Sequence, residues 1–269
     1  AGLRDSPSGL RGATPLTAAE AEMRRQAGAT NLKEIEGRPY QTGAFETWGA
    51  SGITGVWAEE NSREAIYAAF RRKETFATSG PRIRLRFFAG FGLGIDSLSG
   101  PDALQLAYDR AVSMGSELSV QGPNSPEFLV WAAQDATSAK LQRLQVVKGW
   151  LQDGQSHEKV FDVACSDGGQ VDPIQHRCPD NGAQVNQATC AISQGLGASE
   201  LTARWQDPEY DPGERAFYYV RVLENPTCRW STWDAIKAGV PLREDLPALI
   251  QERAWSSSIW LLPKESKSP

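Results

Sequence analysis

Trp57-Ala58-Glu59-Glu60-Asn61 places two carboxylates and an amide between a short apolar run, Ile53-Thr54-Gly55-Val56, and a helical pattern. Carboxylates at a strand end before a helix occupy the position where α/β barrels keep their chemistry. Acidic residues there also serve the helix dipole, which needs no substrate. Further on, Arg82, Arg84 and Arg86 alternate with Ile83, Leu85 and Phe87, so three guanidiniums share one strand face. Such a face can hold an anionic substrate bidentately. It can equally be a solvated face answered by carboxylates from a neighbour.

Other chemistries are poorly supplied. His157 and His176 are the two histidines, too few for a multi-histidine metal centre or a persuasive triad. Gly49-Ala50-Ser51-Gly52 falls short of a nucleophile elbow. Ala89-Gly90-Phe91-Gly92-Leu93-Gly94 lacks the glycine spacing and the immediate helix that cradle phosphates. Trp230-Ser231-Thr232-Trp233 could stack a sugar ring, but reads better as edge packing. Asp207-Pro208-Glu209-Tyr210-Asp211-Pro212 reads as two turns rather than a calcium loop. Cys165, Cys178, Cys190 and Cys228 contain no close pair of the kind that builds a zinc knuckle. Disulfides in an oxidising compartment are the better reading, with three connectivities open. The protein is therefore expected to be exported.

Charge and composition narrow the class. With 28 Lys and Arg against 33 Asp and Glu, the net charge of −5 leaves no cationic surplus for nucleic acid. Hydrophobic residues at 40% and charged residues at 23% fit a globular chain. No apolar run approaches the roughly 18 residues of a membrane span; the strongest, Ile259-Trp260-Leu261-Leu262, stops at Pro263. The chain opens on Ala1 without Met or an export signal, so its natural start is expected to be missing or removed.

The elements that would position these residues follow from periodicity. Residues 1–14 read as loop. Thr17-x-x-Glu20 is a capping box that predicts a helix over 18–27 with Gly28 as its stop. After a strand at 53–57, Asn61 is expected to cap a helix carrying Ala65, Ile66, Ala69 and Phe70, with a strand at 82–87 beyond it. Strand, helix, strand in that order resembles a βαβ unit. Helices are expected from Pro101 to about Ser113 and over 243–253. Strands are expected at 128–131, 216–223 and 255–262, and a hairpin where Leu141–Leu151 and His157–Cys165 flank Gln152-Asp153-Gly154-Gln155. The polar stretch 166–200 is too long to leave unbraced, and 264–269 reads as a solvated tail. These features describe an α/β unit joined to a β-sandwich.

Several stretches carry a family resemblance. Val56 through Ile66, Arg71 through Ile83, Met114-Gly115-Ser116-Glu117-Leu118, Leu144 through Trp150, Phe217 through Glu224 and Gln251 through Trp260 resemble domain-of-unknown-function family 3604. That bacterial group is similar to the polymerase-and-histidinol-phosphatase (PHP) superfamily of metal-dependent hydrolases. The resemblance implies an α+β chain: the last strand-helix-strand of a PHP-like barrel over 1–88, then a β-rich sandwich-like domain over 89–269 with a Cys-containing loop at 165–190. It implies that Glu59, Asn61 and Arg82 line the barrel rim as substrate-binding residues. It implies a divalent metal (Mn, Zn or Fe) for the whole family barrel, held by His-x-His and Asp-x-His motifs that this chain lacks, so no cofactor is expected in this chain itself. The expected partner is the missing N-terminal half of the same protein, in a periplasmic or extracellular (phospho)ester hydrolase. The alternative is a non-catalytic exported β-sandwich that binds a glycan or partner, or is structural.

Overall fold

Alternation of apolar and polar residues along the strands builds two facing sheets. The computed structural model describes residues 17–26, 32–35, 38–41, 49, 51–95, 97–242 and 244–263. The chain begins with α1 (Ala18–Gln26), β1 (Leu32–Ile35), β2 (Arg38–Gln41), β3 (Ile53–Val56) and α2 (Arg63–Arg72). There follow β4 (Thr75–Thr78), β5 (Arg84–Gly90), α3 (Ala103–Arg110), β6 (Val112–Ser113), β7 (Glu117–Ser119) and β8 (Glu127–Ala133). The middle holds β9 (Leu141–Gln152), β10 (Gln155–Cys165), β11 (Val185–Asn186), β12 (Ala191–Ile192) and β13 (Glu200–Trp205). The last elements are β14 (Ala216–Glu224), β15 (Thr227–Cys228), α4 (Trp230–Ala238), β16 (Leu249–Ile250), β17 (Arg253–Ser256) and β18 (Ile259–Leu262).

The larger sheet runs β10–β9–β14–β17–β4–β3, with β18 also on β14 and β7 parallel to β18. The smaller is β13–β8–β5–β6. Leu85, Phe87 and Ala89 of β5, with Phe128 and Val130 of β8, meet Leu144, Val146, Tyr218, Val220 and Val222 of β9 and β14 in one core. Each comes from one parity of its strand, as a two-layer sandwich requires. Burying each large side chain stabilises by roughly 1.5–3 kcal/mol. On the outer face of the smaller sheet, α3 and the segment after β5 cover Phe88 and Leu129 with Leu93, Ile95, Ala103 and Ala107.

Local signals read from the sequence are met in several places. Thr17 N–H donates to Glu20 Oε2 at 2.8 Å and Glu20 N–H to Thr17 Oγ1 at 3.2 Å, the reciprocal capping box at the start of α1. Gly28, residues 1–14 and the tail 264–269 lie outside the described residues. The β9–β10 hairpin turns on Asp153 and Gly154, with φ of 51° and 77°, the left-handed pair that a two-residue turn between twisted strands needs.

Other expectations are corrected. Ser62, not Asn61, caps α2: its Oγ accepts from Ala65 N–H at 3.2 Å. The strand-helix-strand unit is not the parallel unit of a barrel. β3 and β4 are antiparallel neighbours, with Ile53 opposite Thr78 and Val56 opposite Thr75, and β5 crosses to the other sheet. No barrel closes among the described residues, and one sheet carries strands from both sides of position 88. The helix expected from Pro101 to Ser113 ends at Arg110, because β6 pairs with β5 immediately after it. Within the helix expected over 243–253, residues 244–253 hold β16 and the start of β17 rather than a helix; Pro247 removes an N–H and disfavours the helical conformation before it. The late helix is α4, ended by Gly239 at φ 66°. The strand expected at 255–262 is two strands, β17 and β18, both pairing β14.

The stretch 166–200 is braced as its length demands. Cys165 bonds Cys178, and Cys190 bonds Cys228, each with Cα atoms 5.6 Å apart. Cys178 N–H donates to the buried Asp162 at 2.7 Å. Burial opposes ionisation of Asp167, but hydrogen bonds from Ser166, Asn181 and Gly197 N–H outweigh it and hold the carboxyl below its usual range.

Candidate functional site

The three rim candidates fall at two ends of one ladder. Glu59 and Asn61 are exposed in the bend between β3 and α2, beyond the Val56–Thr75 end. Ser62 Oγ donates to Glu60 Oε1 at 2.8 Å, so one of the paired carboxylates is used to set the helix start. Arg82 follows the opposite, Ile53–Thr78 end, where its N–H donates to Asp135 Oδ2 at 2.8 Å and its side chain is exposed. The ladder between them spans roughly 10 Å at the rise of a strand. The fold therefore groups Glu59 with Asn61 and sets Arg82 apart.

A tighter group lies just past the Val56–Thr75 end. Trp57 leaves β3 with its N–H on Glu74 O at 3.1 Å and its Nε1–H on Leu85 O at 2.7 Å. That anchor lays its ring flat against Arg86, whose guanidinium carbon is 3.4 Å from the ring centroid. The Tyr108 ring lies 5.9 Å from the same guanidinium, and Tyr108 Oη donates to Glu74 Oε1 at 2.8 Å. Glu74 is 5% exposed and also pairs with Arg72 at 3.4 Å. Burial, then the hydrogen bond to Glu74, raises the Tyr108 phenol to about 12. Burial pulls Arg86 down, with Tyr108 and Glu74 opposing. Alternation singled out Arg86, but its partners come from a bend, a linker and a helix, which no local pattern connects.

Sequence reasoning missed a second polar group. Lys148 shares the parity of Leu144 and Val146, and its side chain is 4% exposed. Its Nζ lies 3.0 Å from Asp207 and 2.9 Å from Glu214, and donates to Glu209 O at 2.9 Å. Tyr218 Oη donates to Asp207 Oδ2 at 2.7 Å. Asp207 also begins the expected turn, since Glu209 N–H donates to its Oδ1 at 2.8 Å. Every charge in this group is answered from within, so it closes the sandwich end rather than offering a site.

Two surfaces remain. A cleft of about 180 Å³ lies between residues 134–140 and 183–196, with Gln134, Ser138, Lys140 and Asn225 on its walls. It is below the roughly 300–1,000 Å³ of ordinary small-molecule sites. On the outer face of the larger sheet, Phe217 lies 5.1 Å from Trp260 and 6.4 Å from Tyr219. Phe217 roofs Gly149, where any Cβ would come within 2.2 Å of its ring.

A divalent ion does not fit the described residues. No three His, Cys, Asp or Glu among them converge as ligands. His157 stacks on Trp150 at 5.3 Å, His176 lies 5.1 Å from Phe161, and all four cysteines are in disulfides. Among the described residues no helix is long and apolar enough to cross a membrane.

No curated protein and no solved structure matches the chain. One family does, over residues 12–263, which takes in both sheets, both disulfides and the Trp57–Arg86 stack. The chain belongs to that family, described as a protein of unknown function (DUF3604).

Proposed function

We propose that this chain is the non-catalytic, β-rich part of an exported bacterial protein of the PHP-like, metal-dependent (phospho)ester hydrolase kind. Its α2–β3 side seats the N-terminal half that carries the metal ligands. The observation that carries this reading is the bare surface there. Tyr67 and Phe70, one turn apart on α2, are 63% and 48% exposed, and Ala69 is the buried residue of that helix. β3 ends the order of the larger sheet, so among the described residues its outer edge has no partner strand. Proteins cover edges and aromatic helix faces of this kind.

Glu59 and Asn61 stand where β3 gives way to α2, and within this reading they line the rim above the seated half. Arg82, at the other end of the ladder, would meet a substrate separately. No catalytic step is assigned to residues of this chain. The two disulfides support export, since such bonds persist in oxidising compartments.

The test is association of this chain with the polypeptide encoded upstream of it, the two produced separately and mixed. Wild type is expected to form a complex that Tyr67→Glu with Phe70→Glu weakens at least tenfold. Complex formation unchanged by that pair, or an upstream polypeptide without His-x-His and Asp-x-His, would overturn the reading.

A further inference from the structure

Arg86 is ordered from several directions, yet among the described residues none of its side-chain donors has a hydrogen-bond acceptor. Its Nε is buried without an acceptor. Among the described residues its contacts are the Trp57 face at 3.4 Å and the Tyr108 ring at 5.9 Å. Glu74, the carboxylate that acts on Arg86 electrostatically, makes its contacts with Tyr108 at 2.8 Å and Arg72 at 3.4 Å. Stacking fixes the plane of a guanidinium but leaves its in-plane fork open, and that fork matches the spacing of two oxyanion oxygens. Donors left without acceptors in a half-buried place require an explanation.

The charge balance indicates what kind of acceptor is missing. Arg72 and Glu74 neutralise one another, whereas Arg84, two residues before Arg86 on the same strand face, is exposed and repels it. Arg72, Arg84 and Arg86 thus set three positive charges against the one negative charge of Glu74, a surplus that suits a dianion better than a single carboxylate. We propose that Arg86, held against Trp57 beside Tyr108, is the receptor for a phosphate group, taken bidentately on its Nη donors with Arg84 alongside. This inference needs nothing seated on α2 and β3, so it stands or falls apart from the function proposed above.

Calorimetric titration of the chain with inorganic phosphate at constant ionic strength tests it, with acetate as the carboxylate comparison. Saturable phosphate binding is expected, at least tenfold tighter than acetate. Arg86→Met is expected to weaken phosphate at least tenfold. Arg86→Lys keeps the charge without the fork and is expected to weaken it several-fold, while Arg177→Ala, on the distant disulfide-bonded segment, leaves it unchanged. Should Arg86→Met fail to fold, Arg86→Lys decides. Absence of saturable phosphate binding by wild type, acetate binding as tightly as phosphate, or Arg86→Lys binding like wild type would each overturn the assignment.

Discussion

Lys148 is a cation almost wholly inside the sandwich, and it is tolerated because two carboxylates and a carbonyl surround its Nζ within 3.0 Å. Removing it would leave Asp207, fully buried, and Glu214 without their counter-charge. Lys148→Met is therefore expected to cost about 3–5 kcal/mol in urea denaturation; a loss below about 1 kcal/mol would show the network to be dispensable. Tyr108 makes a second prediction. Its folded phenol is raised to about 12, first by burial and then by Glu74, against about 10 in an unfolded chain. A raised value means the fold prefers the neutral phenol. That contribution is whole below pH 10 and is lost as pH rises through about 12. The tyrosinate absorbance missing from Tyr108→Phe, relative to wild type, should come in near pH 12; a midpoint near 10 would mean that neither burial nor the Glu74 bond holds the phenol neutral. At this scale, Lys148 shares the parity of Leu144 and Val146, but Asp207 sits in what read as a turn and Glu214 just beyond it, so no local pattern joins them.

Elements with a local punctuation mark were legible, and those shaped by distant partners were not. The Asp153-Gly154 turn and the Thr17–Glu20 box each act over four residues or fewer and are found where expected. The strand expected at 255–262 breaks because Ser256 turns its hydroxyl to Val220 N–H at 2.9 Å, between two separate pairings with β14. Strand-helix-strand order suggested a parallel unit, yet order alone does not state pairing direction, and β3 returns antiparallel on β4. The tight packing of α2's end also went unseen: Gly115, at φ 88°, lets Lys73 O approach to where a Cβ would sit 2.4 Å away. The disulfides brace the one long segment that pattern left open. Loop closure over separations of 13 and 38 residues is worth about 3 and about 4 kcal/mol respectively. Cys190→Ser with Cys228→Ser should therefore destabilise more than Cys165→Ser with Cys178→Ser in urea, and the reverse order would contradict loop closure as the main term.

For the whole molecule, the two sheets and their shared core account for stability, and the metal chemistry suggested by the family resemblance has no ligand cluster among the described residues. One side combines an edge of β3 with no partner strand among the described residues, Tyr67 and Phe70 exposed on α2, and the bend holding Glu59 and Asn61. In the function proposed above, this is the surface on which the N-terminal half sits. The most direct measurement is phosphoesterase turnover with Mn²⁺ or Zn²⁺, comparing this chain alone with the same chain joined to the N-terminal half proposed to be encoded upstream of it. The account predicts no metal-dependent turnover by the chain alone, turnover by the joined protein, and its loss when Tyr67 and Phe70 are both changed to Glu. Metal-dependent turnover by the chain alone, or a joined protein indifferent to those two changes, would contradict it.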